Sequence, residues 1–288
     1  MFVNPNWTDY QLLDGKSGEK LERWGKFTYL RPEPQIVWDE PLNAAFWKKI
    51  DAKYTRSSRG GGSWQFYRPE AEQRFVIGYR DLKFYIRPMG FKHMGLFPEQ
   101  STNWDYVSSK IKESGRELRV LNLFGYTGGA TVAALAAGAS VCHVDAARGM
   151  VTYARENIEL NGLQDRKIRY IVDDAVKFLE REIRRGNRYD IVIMDPPSYG
   201  KGPKGEVFKI EQELYHLLDS AAKVMSDSPV CFLINSYTTG LSPLAVENVV
   251  RLTFCKKFGG QISGGELALP IQDTGLYLPC GSTVRWES

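Results

Sequence analysis

Four short segments carry residue types suited to holding an adenosine-like ligand and to working on a group placed beside it. Asn122-Leu123-Phe124-Gly125-Tyr126-Thr127-Gly128-Gly129-Ala130 ends an apolar run and opens a helical one. Glycines at 125, 128 and 129 permit a sharp turn and a close approach of backbone to ligand. The pattern is not GxGxxG, which weakens a nicotinamide-dinucleotide reading, and the phosphate-cradling P-loop motif is absent from the sequence. Asp145 ends the next apolar run, about 20 residues on, where a carboxylate can accept hydrogen bonds from both hydroxyls of a ribose. Asp173-Asp174 end the third run, where a carboxylate or nearby backbone can meet an adenine amino group. Asp195-Pro196-Pro197-Ser198-Tyr199-Gly200 end the fourth. Two prolines fix the backbone there, leave carbonyls facing outward, and set an aromatic ring beside the pocket.

These segments need a scaffold that brings strand ends together. The strand-like runs are ELRVLNLF, ASVCHVD, KIRYIV, YDIVIMD and PVCFLIN. Between them lie the helical patterns ATVAALAAG, RGMVTYARENIELNG, DAVKFLEREIRRG and KIEQELYHLLDSAAKVM, and SPLAVENVVRLTFCKKFG follows the fifth. Apolar runs without polar alternation imply strands covered on both faces. Strand–helix alternation implies right-handed crossovers and a doubly wound parallel sheet. The rhythm then breaks: ISGGELALPIQ, a DTG turn and LYLPCGSTVRW read as a hairpin. The expectation is an α/β, Rossmann-like sheet of seven strands with the last antiparallel, and ligands bound at the carboxyl ends of the strands.

The first part of the chain reads differently. KFTYLRPEPQIVW, SWQFY, RFVIGY and LKFYIRP are short, aromatic and β-branched, with a tight turn at Arg80-Asp81. PLNAAFWKKIDAKY has helical spacing, with Leu42, Phe46 and Ile50 on one face. Ser57 to Ser63, rich in glycine, reads as a mobile loop that Arg56 and Arg59 would turn into a substrate-touching flap or leave a plain connector. The domain expectation is a β-rich N-terminal substrate lobe over residues 1–90 and a cofactor-binding domain over 91–288.

Composition sets bounds on function. The chain has 288 residues, 43% hydrophobic and 25% charged, which is the balance of an ordinary globular protein. Residues 1–90 hold 15 Lys+Arg against 11 Asp+Glu, and residues 91–288 hold 23 of each, so the whole net charge of +4 lies in front. Trp7, Trp24, Trp38, Trp47 and Trp64 lie there too. A basic, aromatic-rich segment suits nucleic acid, and core tryptophans suit the composition equally well. No apolar run approaches the ~20 residues of a membrane span, and MFVNPNWTDYQ lacks a signal-peptide pattern, so a cytoplasmic location and no membrane partner are expected. Cys142, Cys231, Cys255 and Cys280 are scattered and read as free thiols, with no metal site expected. His143 lies in a strand and His216 on a helix, both structural; His93 is the histidine nearest a candidate site. Lys201 and Lys204, among Gly200, Gly202 and Gly205, form a basic loop beside DPPSY that suits phosphate contact, a lid, or plain solvent exposure.

FGYTGG, HVD, the acid pair of IVDDAVKF, and DPPSYG together resemble motifs I to IV of class I S-adenosylmethionine (SAM) methyltransferases. Lys92-His93-Met94-Gly95-Leu96-Phe97-Pro98-Glu99-Gln100 resembles the segment ahead of that fold in the large-subunit ribosomal-RNA cytosine-C5 methyltransferases and their uncharacterised relatives. The resemblance spans about residues 70–285. It implies SAM as cofactor, with Phe124, Gly125, Thr127, Gly128 and Gly129 at its methionine end. It further implies Asp145 and Ala146 at the ribose, Asp174 and Asp173 near the adenine, and Phe97 and Gln100 as cover. Asp195, Pro196, Pro197 and Tyr199 would face the methyl group and the target.

The resemblance implies an RNA substrate, ribosomal RNA first. In the cytosine-C5 enzymes a cysteine follows the fifth strand and attacks the ring. Here that strand ends in Asn235-Ser236-Tyr237-Thr238-Thr239-Gly240, without a cysteine. DPP followed by an aromatic is instead similar to the Asp/Asn-Pro-Pro-Tyr/Phe motif of enzymes that methylate exocyclic base amines. Direct transfer to a base nitrogen is therefore expected, without covalent intermediate or metal. The alternatives are a small-molecule or protein methyltransferase, and a SAM-binding, RNA-associated protein without catalysis.

Overall fold

A computed structural model describes residues 1–58, 60–201 and 207–288. Arg59, Gly202, Lys204 and Gly205, singled out above, lie outside the described residues.

The chain packs as two compact units: Val3–Ser101 with Ala268–Cys280, and Met1–Phe2 with Thr102–Leu267 and Gly281–Ser288. The first unit runs past residue 90 because residues 91–101 are tied into it. Arg31 Nη1 donates to the carbonyl of Lys92 at 2.6 Å, Trp7 Nε1 donates to that of Pro98 at 3.0 Å, and Met94 is buried. Gln272 joins it as well, its amide donating to Leu12 O at 2.9 Å.

In this unit β2(Tyr10–Lys16), β3(Glu19–Trp24), β4(Phe27–Pro32), β5(Ala52–Arg56) and β6(Gly62–Phe66) form a five-stranded sheet in that order. The strands β7(Phe75–Tyr79) and β8(Leu82–Ile86) form a separate ribbon that turns at Arg80-Asp81 as expected. Strands β2 and β3 were not expected. Their turn is Ser17-Gly18, with φ of 48° and 75°, the positive pair a tight hairpin requires.

One sequence expectation fails here. The helix over residues 41–54 is only a single 3₁₀ turn, Phe46–Lys48, and Leu42 is exposed. The carboxylate of Asp14 accepts from Leu42 N, Asn43 N and Trp47 Nε1, which fixes the chain in a turn, and β5 begins at Ala52. Phe46 and Ile50 still pack on Leu13, Leu21 and Leu30, so their apolar spacing reports a core contact without a helix. The glycine-rich stretch is a hairpin connection whose end belongs to β6: Ser57 N donates to Gly61 O, and Arg56 pairs with Gly62.

The tryptophans are structural. Trp24 is fully buried. Trp38 donates its indole N–H to Gly15 O at 2.5 Å, Trp47 to Asp14 at 2.8 Å and Trp64 to Met89 O at 2.8 Å. A buried ionic group lies beside them, where Arg31 reaches both carboxylate oxygens of Glu22, and Tyr10 donates to the same carboxylate at 2.8 Å.

The second unit is the α/β body. Its helices are α1(Ser101–Glu113), α2(Gly129–Ala136), α3(Arg148–Leu160), α4(Ala175–Arg185), α5(Ile210–Lys223) and α6(Pro243–Val250). Its sheet strands are β9(Arg119–Leu123), β10(Ser140–Asp145), β11(Ile168–Val172), β12(Ile191–Met194), β15(Cys231–Ser236), β16(Gln261–Pro270) and β17(Tyr277–Glu287). The short strands β13(Tyr199–Lys201) and β14(Val207–Lys209) pair with each other. With β1(Phe2–Val3) at one edge, the main sheet has the order β1-β16-β17-β15-β12-β9-β10-β11, with β9 to β12 and β15 parallel and β17 antiparallel to β15. The seven expected strands are all present, and the two-residue β1 adds an eighth. The helical run after the fifth parallel strand is broken by a π turn at Arg251–Cys255. Helix α1 had gone unread in the sequence.

Leu121, Leu123, Cys142, Val144, Val192, Met194, Phe232 and Ile234 are buried in one core with α4 and α5. Among the described residues no helix is long and apolar enough to cross a membrane.

Candidate functional site

Register brings the motifs together. The strand order reverses between β9 and β12, and Leu123 at the end of β9 pairs with Met194 at the end of β12. The glycine-rich turn and Asp195-Pro196-Pro197 thus leave the sheet side by side at the switch point, where open α/β sheets bind ligands. Leu123 pairs also with Val144, Val144 with Ile171, and Met194 with Ile234. Asp145, Asp173 and Asn235 therefore follow in the same row of strand ends.

The turn after β9 is held in an unusual backbone conformation. Phe124, Tyr126 and Gly128 have φ of 56°, 49° and 87°. Two glycines in it have steric reasons. A Cβ on Gly125 would overlap the imidazole of His143, and one on Gly128 would lie 2.9 Å from the Ala154 Cβ of α3. Gly125 N donates to Val144 O at 2.9 Å, and Asn157 Nδ2 donates to Thr127 O at 2.8 Å. Helix α2 starts at Gly129 with no side-chain cap, so its first amides face the turn.

Asp145 organises the neighbouring turn. Oδ2 accepts from Tyr126 N at 2.9 Å and Oδ1 from Ala147 N at 2.8 Å. Burial pushes its carboxyl above the usual range, against the pull of those two amides. Ala146 beside it is exposed. Asp174 caps α4, accepting from Lys177 N at 3.0 Å, and Asp173 is ion-paired with Arg181. Both acids expected near an adenine thus also hold their own turn.

At the DPP segment, Pro196 is buried while Pro197 and Tyr199 are exposed, Tyr199 by half. Ser198 Oγ accepts from Thr238 Oγ1 at 2.7 Å, which joins this segment to the one after β15. Tyr199 pairs with Lys209 in the small hairpin, and Phe208 of that hairpin lies 6.3 Å from Phe124, centroid to centroid. Phe97 and Gln100 belong to the other unit, where Pro98–Gln100 form a 3₁₀ turn and the Phe97 ring lies 5.4 Å from His93.

Sequence reasoning missed the layer beneath the glycine turn. Asn122 Nδ2 donates to Thr131 Oγ1 at 2.9 Å, and Thr131 Oγ1 is 2.9 Å from His143 Nδ1. All three residues are buried, and His143 Nε2 has no partner among the described residues. Burial holds the imidazole neutral, its pKa lowered to about 4. The available signal was a polar residue inside an apolar strand and another inside an alanine-rich helix.

Burial raises the two thiols nearest the end of β15, Cys231 within the strand and Cys280 two positions before Ser282, the partner of Ser236. Cys231 is fully buried three positions before Ile234, and burial pushes its thiol up to about 12. Among the described residues no cluster of three His, Cys, Asp or Glu suits a metal ion.

A profile of S-adenosylmethionine-dependent methyltransferases matches residues 63–247. The chain belongs to that family. The chain is 35% identical to a SAM-dependent methyltransferase from Agrobacterium tumefaciens of solved structure, with a TM-score of 0.94 over 99% of this chain and 92% of that one. It is 29% identical to ribosomal RNA large subunit methyltransferase K of Neisseria meningitidis serogroup B, over 75% of this chain and 62% of the relative. It is 32% identical to ribosomal RNA large subunit methyltransferase K/L of Shewanella baltica, over 60% of this chain and 24% of the relative. It therefore spans less than two thirds of the length of those two relatives. The glycine turn, Asp145, the acid pair and DPPSY all fall within the stretch that the family profile matches.

Proposed function

We propose that this protein transfers the methyl group of SAM directly to a base nitrogen of RNA, with ribosomal RNA the first candidate. The observation that carries the proposal is the Leu123–Met194 pairing, which sets the glycine turn beside Asp195-Pro196-Pro197. The donors present fit an adenosyl amino acid. The uncapped amides of α2 suit its carboxylate, and Asp145 keeps lone pairs beyond those facing Tyr126 and Ala147 for ribose hydroxyls. SAM when bound supplies a methyl group on a sulfonium. The chain would then have to orient an acceptor nitrogen. Asp195 and a proline-fixed carbonyl would accept the N–H groups, and Tyr199 would stack on the base. The cofactor contact of Phe97 and Gln100 rests on the resemblance alone.

Two observations support nitrogen as the acceptor: the DPPSY geometry at the switch point, and the absence of a cysteine from the segment 235–240 that ends the fifth parallel strand. The RNA part rests on the curated relatives named for ribosomal RNA. The functional division, a substrate lobe over residues 1–90 ahead of a cofactor domain over 91–288, belongs to the same proposal.

The test uses tritiated SAM with protein-free large-subunit RNA, followed by mass spectrometry of the nucleosides. Wild type should incorporate label into a nitrogen-methylated base. Asp195→Ala should abolish incorporation and still bind SAM in calorimetry, while Asp145→Ala should weaken SAM binding itself. Label appearing at C5 of a pyrimidine, or none at all in RNA, contradicts the proposal.

A further inference from the structure

The β7–β8 ribbon has two unlike faces. Ile77, Tyr79, Phe84 and Ile86 are buried, and Phe75 lies 5.4 Å from Phe27 of the five-stranded sheet, centroid to centroid. The alternation of a strand puts the remaining side chains on the other side. There Val76 pairs with Tyr85 and Gly78 with Lys83, and Arg74 and Arg87 continue the same rows at the ribbon's open end. Arg74, Val76, Lys83 and Arg87 are exposed. The guanidinium of Arg74 stacks on Tyr85 with its carbon 3.4 Å from the ring centroid.

Residues 74–87 contain Arg74, Arg80, Lys83 and Arg87 against Asp81 alone. This short ribbon thus has a net charge of +3 in a front region whose total is +4. The rest of that region's charge is nearly balanced, and part of it is internal, as in the Arg31–Glu22 pair.

We infer that the outer face of this ribbon is a docking surface for single-stranded RNA. The inference rests on the RNA reading above and adds where the chain is held. Lys83 and Arg87 lie four residues apart on one strand and Arg74 lies across from Arg87, so three cations line one face for phosphates to meet. The stacked Arg74–Tyr85 pair offers a planar platform, and bases stack on tyrosine rings and guanidinium planes. An acidic protein would match the charge but has no use for the planar pair. The five front tryptophans take no part: Trp24 is fully buried, and the indole N–H groups of the other four are bound to acceptors within the unit.

The test is a salt titration of binding to a fluorescent single-stranded RNA oligonucleotide of mixed sequence. Arg74→Gln/Lys83→Gln should lower affinity more than about tenfold near physiological salt. It should also make the slope of log affinity against log salt shallower by about 1.4, two phosphates at about 0.7 each. Tyr85→Leu should lower affinity about tenfold and leave the slope unchanged, because stacking releases no counterions. Lys112→Gln/Arg166→Gln, an equal charge change on the other unit, should alter neither. A wild-type thermal melt, together with SAM binding at wild-type strength, shows that each variant is folded. Wild-type affinity and slope in the ribbon variants, or the same loss in the control pair, overturns the inference. Wild-type protein that binds RNA without salt dependence overturns the RNA reading and this surface together.

Discussion

The ring of His143 occupies the space that a side chain on Gly125 would need. The glycine turn is therefore shaped from below by a β10 side chain as well as by its own φ angles. Gly125→Ala should force the turn off the sheet, destabilise the protein by about 1–3 kcal/mol as overpacking does, and weaken SAM binding with it. Calorimetric titration and thermal melts of the variant measure both effects. His143→Ala in the same background should restore part of each loss, because the two sites share one contact. Strictly additive losses in the double variant would show that the ring does not shape the turn.

The same imidazole makes stability depend on pH. In the folded chain burial lowers its pKa from 6.5 to about 4. Between those values the unfolded chain binds more protons than the folded one, so this contribution is complete above pH 6.5 and is lost as pH falls toward 4. At 1.36 kcal/mol per unit the full loss is about 3 kcal/mol. His93 titrates in the same direction, also to about 4, through burial and then the nearby Arg31. Wild type should therefore lose stability steeply across this window in denaturant melts. His143→Gln should remove one of these two shares of the slope and leave that of His93. A slope unchanged by His143→Gln would contradict the assignment.

The strand ends were legible in the sequence because unbroken apolar runs and the residues after them survive any uncertainty of element length. Register was not legible, yet register alone makes Leu123 and Met194 neighbours. The front unit was harder. Phe46 and Ile50 show the spacing of a helix face while Asp14, some thirty positions earlier in the chain, holds the segment as a turn through Leu42 N and Asn43 N. The roles of Asn122, Thr131 and His143 depended on three elements meeting, and no local pattern contains that. The same holds for Ser198 and Thr238, forty positions apart and 2.7 Å from each other.

That last contact carries a prediction about catalysis. Thr238 donates to Ser198, the residue that follows the two prolines, so it fixes the segment that would orient the acceptor. Thr238→Val keeps the shape and removes the donor, a change worth about 1 kcal/mol. Methyl transfer should slow about fivefold with SAM affinity unchanged, and Thr238→Ser should recover the rate. Steady-state kinetics with SAM and RNA varied separately tests this. A loss of SAM affinity in Thr238→Val, or failure of Thr238→Ser to recover, would place the contact outside the acceptor side.

The chemistry of the acceptor can be tested through a residue that should be silent. Cys231 is the thiol nearest in sequence to the end of β15, three positions before Ile234, which pairs with Met194. At about 3.3 Å per residue it sits roughly 10 Å back along the strand. It is fully buried, and its thiol is held up to about 12 by that burial, so the thiolate is essentially absent at neutral pH. A covalent route through the base ring requires that thiolate at the strand end. Cys231→Ala should thus keep wild-type methyl transfer, while losing about 1 kcal/mol of stability from the small void it leaves. Trapping with a 5-fluoropyrimidine RNA should give no covalent complex with either protein. A stable adduct with wild type that disappears in Cys231→Ala would make the enzyme a pyrimidine-C5 methyltransferase and refute direct transfer to nitrogen.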